Sequence, residues 1–130
     1  MRSPVMWFVG IVAAIIVALG IRAFLDPVAA SAGFGLPMHT DAEATFVRVY
    51  GARNALLGLL ALAFIAGGML RPLALLFTFA IALPLLDAIV VTSRVGIGYE
   101  LVRHAAILLV LAVASIALWR FDTAQRHQPK

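Results

Sequence analysis

Long apolar runs broken by short polar stretches dominate the chain. Four runs, at about 5–25, 46–68, 72–92 and 99–119, reach the ~20 residues that cross a bilayer as a helix. A membrane β-barrel would instead show segments of roughly ten alternating residues, and none is present. The pattern predicts an all-α fold, an integral membrane four-helix bundle forming a single four-span domain over residues 1–130. The start "MRSPVMWFVGIVAAIIVALGIRAF" also resembles a secretory leader. Its unbroken run from Val5 to Ile21 exceeds the roughly 7–15 residues of a leader's apolar core, so a retained first span is expected.

The breaks carry their own signals. In "DPVAASAG", Asp26 can cap a helix, Pro27 suits its first position and Gly33 suits its stop. This predicts a short interfacial helix between spans 1 and 2. Thr40 and Glu43 have capping-box spacing, which places the start of the second long helix near Asp41. On that helix Gly51, Ala55 and Gly58 share a face at i, i+4, i+7 and permit close helix approach. Gly67–Gly68 ends it, and the short "MLRP" link predicts a tight antiparallel hairpin of spans 2 and 3. Pro84 removes a backbone donor and is expected to kink span 3. Tyr99 and Trp119 mark interface depth at the two ends of span 4, and the polar tail "RFDTAQRHQPK" is expected to fray.

Composition agrees with the pattern: of 130 residues 64% are hydrophobic and 12% charged, with a mean hydropathy of +1.07. The formal charge of +4 does not form the basic stripe or aromatic platform of a nucleic-acid binder, so no nucleic-acid partner is expected. Cysteine is absent, which removes disulfides, thiol catalysis and thiolate metal sites. No phosphate-binding loop, dinucleotide fingerprint or zinc-protease motif occurs, and neither cofactor nor metal is expected. Arg2, Arg71, Arg120, Arg126 and Lys130 fall on the side of the termini, whereas Asp26, Asp41, Glu43 and Arg94 fall opposite, with Arg22, Arg48 and Arg103 also near the outer helix ends. The positive-inside rule then puts both termini in the cytoplasm of a multi-pass protein of the cell membrane.

The polar residues inside the spans supply the candidate chemistry. Asp87 sits within "ALPLLDAIVV", where a lone charge costs about 2.5–3.5 kcal/mol on the insertion scale. Counted from the non-terminal side at ~1.5 Å per residue, Arg53, Asn54, Asp87 and His104 lie at similar depth, with Glu100, Arg103 and an Arg22–Asp26 pair just above. The terminal-side half, Leu56–Leu70 and Ala105–Leu118, is almost purely apolar. An Arg53–Asp87 ion pair is the cheapest remedy for the buried carboxylate. The cluster has two readings: it fixes helix packing, or it lines a pocket. As a pocket, Arg53, Asn54, Asp87, Glu100, Arg103 and His104 would bind a small lipophilic ligand. An imidazole can exchange protons near neutral pH, so Asp87 and His104 are also candidates for acid–base catalysis of the isomerase or cyclase kind. Whether the chain is an enzyme stays open at this point. His39 and His127 read as solvated residues. The lipid bilayer is one partner; a homo-oligomer, a membrane-complex partner or an oligomeric transporter subunit are further possibilities.

The stretches "GIRAFLDPVAASAGFGLP", "VYGARNALLGLL", "RPLALL", "ALPLLDAIVV" and "RHAAILL" resemble, in that order, a family of small four-span integral membrane proteins of unknown function, broadly DoxX-like. The resemblance spans about residues 15–115. Its most distinctive parts fall on Gly51 and Arg53, Pro84 and Asp87, and His104. It implies a left-handed four-helix membrane bundle and no established activity. Family members often carry Asp after the span 2 arginine; Asn54 stands here and weakens a two-acid mechanism. DoxX-like relatives include subunits of membrane redox complexes acting near quinones, so the resemblance also implies an accessory role.

Overall fold

The computed structural model describes residues 3–127, and all regular structure among them is helical. The elements are α1 (Pro4–Leu25), α2 (Pro27–Phe34), α3 (Thr45–Ala66), α4 (Leu70–Ala80), α5 (Ala82–Val95) and α6 (Tyr99–Arg126). With α4 and α5 taken as one kinked rod, four helices are long and apolar enough to cross a membrane. Arg2 and Lys130, used in the charge-asymmetry reading, lie outside the described residues.

Local chemistry explains most boundaries. Ser3 caps α1, its hydroxyl accepting from the Met6 amide. Asp26 caps α2 by accepting from the Ala29 amide, with Pro27 in the first turn. The stop of α2 is Gly35, in the left-handed region at φ 97°, and not Gly33. The Thr40–Glu43 box forms, but it closes a turn ahead of α3 instead of starting the helix: Glu43 N–H donates to Thr40, and the amides of His39 and Thr40 donate to the Glu43 carboxylate. Those amides hold the Glu43 carboxyl below the usual carboxylate range. At the end of α3, Gly68 (φ 65°) and the Met69 amide bond to the Phe64 carbonyl make a Schellman stop. Pro84 cannot donate to the Ala80 carbonyl, and the rod breaks at Ile81, between α4 and α5. The helix is thus interrupted three residues before Pro84, as a missing donor there would cause.

The helices pair differently from the hairpin expectation. The link between α3 and α4 is short, yet α3 packs along its length on α1, while α4 and α5 pack on α6. The cause is the small-residue stripe. Gly51 faces the backbone of Gly20, Ala23 and Phe24; Ala55 faces Gly20; Gly58 faces Ala13 and Val17. Lipid tails give no hydrophobic drive for helix pairing, so close backbone contact at small residues decides the partner. Complementary glycine on α1 wins over mere proximity in sequence.

The two pairs join at the terminal side through one apolar core containing Met6, Val9, Ala13, Ala61, Leu73, Phe77, Ala114 and Leu118. That half is less purely apolar than its runs suggest. Thr78 and Ser115 hydroxyls share a 2.8 Å hydrogen bond, and Trp119 Nε1 donates to Thr78 at 3.0 Å. The tail after Trp119 does not fray within the described residues but continues α6 to Arg126. Asp122 holds it there, pairing with Arg126 at 2.9 Å and with Arg71 of α4 at 3.6 Å.

Candidate functional site

Away from that core the two pairs separate around a cavity of about 500 Å³. This lies within the ~300–1,000 Å³ usual for small-molecule sites. Its lining follows helical periodicity on every wall: Val12, Ile15, Ile16, Leu19 and Arg22 on α1; Tyr50, Asn54, Leu57 and Ala61 on α3; Leu76, Phe77, Ala80, Leu83 and Asp87 on α4 and α5; Arg103, His104, Ile107, Val110 and Leu111 on α6. The terminal-side portion is wholly apolar. The polar members gather at the other end.

The interfacial helix α2 folds over that end. Its Ala29, Ala30, Gly33 and Phe34 complete the lining. Two residues of α6 fasten it: Arg103 donates to the Gly33 carbonyl, and His104 Nε2–H donates to the Phe34 carbonyl at 3.1 Å. A carbonyl only accepts, so this bond fixes the proton on Nε2. The Phe34 ring meets Tyr50, His104 and Phe46 edge-on, with centroids 5.0, 5.6 and 6.2 Å apart. Ser31 is buried beneath the return of the chain, donating to the Val28 carbonyl and accepting from the Met38 amide.

Of the predicted site residues, Asn54, Asp87, Arg103 and His104 line the cavity. Arg53 and Glu100 do not; both are exposed. A step of one residue turns a helix by about a quarter circle, which carries Arg53 off the face shared by Tyr50 and Asn54. Its guanidinium instead stands 5.1 Å from the centre of the Tyr50 ring. The expected Arg53–Asp87 ion pair is not among those formed by the described residues, although Arg53 and His104 lie within electrostatic range of Asp87. The Arg22–Asp26 and Glu100–Arg103 pairs are likewise not formed: Asp26 serves α2, and Arg103 serves Gly33. His39 and His127 are exposed, as expected of solvated residues. Three participants were not singled out from sequence: Phe34, Tyr50 and the cavity role of Arg22. Tyr50 had a legible signal, since it precedes Asn54 by four residues. Phe34 had none, because nothing in "SAGFGLP" tells that the short helix turns inward.

Fold and site together define a multi-pass helical membrane protein with an amphipathic internal cavity. The sequence profile of the domain of unknown function DUF4267 matches residues 13–118, and the chain belongs to that family. The curated proteins contain no match to the chain, and neither do the solved structures.

Proposed function

We propose that the protein binds a small lipophilic molecule in the cavity between its two helix pairs. One observation carries this reading: an apolar cavity of about 500 Å³ ends in a cluster of polar side chains. A cluster serving packing alone would leave no such space and would pair its charges. The acid–base alternative requires Asp87 and His104 within hydrogen-bond reach of each other. They share the cavity, but the His104 Nε2–H is committed to Phe34, and no hydrogen bond joins it to Asp87 among the described residues. The remaining reading makes the chain an accessory subunit of a DoxX-like membrane complex. The small-residue face it would offer a partner is already covered by α1. With the termini in the cytoplasm, Arg71, Arg120 and Arg126 would lie on that side, and the polar end of the cavity, with Arg22, Arg48, Arg94 and Arg103, would lie in the non-cytoplasmic leaflet of the cell membrane.

Filling the cavity tests the reading. Ala80→Phe places a ring inside it, and Ala106→Leu narrows it from an exposed lining position. Native mass spectrometry after gentle extraction should show a small molecule on the wild type and at least a tenfold lower occupancy on both variants. Equal occupancy on all three would contradict the cavity as the binding place.

A further inference from the structure

Resting on that reading, we infer that the ligand is a single-chain amphiphile with an oxyanion head, held at the cavity mouth by Arg22 and Arg103. Charge supplies the first argument. The carboxylates of the same leaflet are engaged elsewhere: Asp41 with Arg48 at 3.0 Å, Glu43 with two backbone amides, and Asp26 with the Ala29 amide. Glu100 lies outside the cavity lining. Among the described residues neither Arg22 nor Arg103 has a carboxylate within 4 Å, and Arg103 donates to the neutral Gly33 carbonyl. Two guanidinium groups thus line the cavity against one carboxylate, Asp87.

Depth supplies the second. On α4–α6 the register pairs Arg71 with Asp122 and Thr78 with Ser115. Continued along the rods, it sets Arg103 beside Val90, so Asp87 lies three residues, or ~4.5 Å, further in. On α1 and α3, Gly20 meets Gly51 and Ala55 while Ala13 and Val17 meet Gly58. Arg22 therefore stands near Gly51, and Asn54 is again about three residues deeper. The arginines form a rim, and Asp87 forms a layer beneath it that repels an anion from going lower. Arginine suits carboxylate and phosphate heads alike.

Length supplies the third. From Arg22 to Val12, the lining runs ten residues of α1, or ~15 Å. That is half of the ~30 Å hydrocarbon core, the span of a chain in one leaflet.

The test is equilibrium binding in phosphatidylcholine nanodiscs with three probes of one chain length: palmitate, hexadecyl phosphate and hexadecanol. Both anions should bind at least tenfold tighter than the alcohol, and their order tells carboxylate from phosphate. Arg22→Gln should weaken the anions about tenfold, as loss of a charge-assisted bond does, and leave hexadecanol unchanged; Arg103→Gln, which also frees α2 from its bond at Gly33, should weaken the anions by at least tenfold more than hexadecanol. Arg103→Lys should keep the preference, which separates charge from the hold on Gly33. Asp87→Asn should tighten the anions. Equal binding of all three probes would overturn the oxyanion head while keeping the cavity reading. Binding of none would overturn both.

Discussion

Gly51→Leu is expected to separate α1 from α3 and to lower stability by about 3 kcal/mol, the upper part of the usual range for overpacking. Even a Cβ at this position would stand 2.6 Å from the Gly20 carbonyl oxygen and 2.7 Å from the Phe24 nitrogen. Both are backbone atoms, which cannot rotate away as a side chain would. The helices must therefore part, and contacts are lost along the whole stripe to Gly58. Thermal unfolding in detergent, followed by size-exclusion chromatography, reads the effect. Gly10→Ala provides the contrast. A Cβ there meets only Ile65 Cδ1 at 4.0 Å, and alanine favours the helix by roughly 0.5–1 kcal/mol over glycine. That variant should melt at or slightly above the wild type. Equal melting of Gly51→Leu and wild type would mean that the α1–α3 contact is not what organises the bundle.

Phe34→Ala is expected to lower stability by about 3 kcal/mol, the low end of Phe→Ala losses in packed sites, and to loosen the roof of the cavity. Phe34 is buried, and its ring touches Tyr50, Phe46 and His104 at once. Its removal takes away the aromatic anchor of α2 and leaves the bonds from Arg103 and His104 to its carbonyls. Phe46→Ala removes one of the same ring contacts from an exposed position, so its loss should stay below about 1 kcal/mol. The two variants together tell a roof packed on Phe34 from general aromatic content at the interface. Hydrogen exchange over residues 27–36 should rise in Phe34→Ala and stay near wild type in Phe46→Ala.

Spans, interfacial helix and kink were all legible from sequence, because each follows from chain-local chemistry. Twenty apolar residues need only a bilayer to become a helix, Asp26–Pro27 needs only its own amides, and Pro84 breaks the rod whatever surrounds it. Partner choice was not local. The stripe Gly51/Ala55/Gly58 was visible, but its complement on α1 reduces to Gly20 with nearby alanines, and the short link to α4 pointed to the wrong neighbour. For the site, residue type and depth put Asn54, Asp87, Arg103 and His104 at one end, and all four line the cavity. Depth alone could not tell which charges turn inward. Helical phase decides that: Arg22 and Arg103 are in step with the apolar lining of α1 and α6, whereas Arg53 and Glu100 are out of step with theirs. The extension of α6 to Arg126 was missed because Asp122 draws its second partner, Arg71, from another helix.

The central claim is that a lipophilic chain enters between the helix pairs, and photo-crosslinking tests it most directly. A long-chain carboxylate with a diazirine at its chain end would be incubated with the protein in phosphatidylcholine nanodiscs, irradiated, and its adducts mapped by peptide mass spectrometry. Adducts on the cavity floor, at Phe77 or Leu111, are the predicted result. Adducts confined to outward-facing Phe79, Leu86 and Leu109 would show the chain only alongside the bundle and would contradict the account.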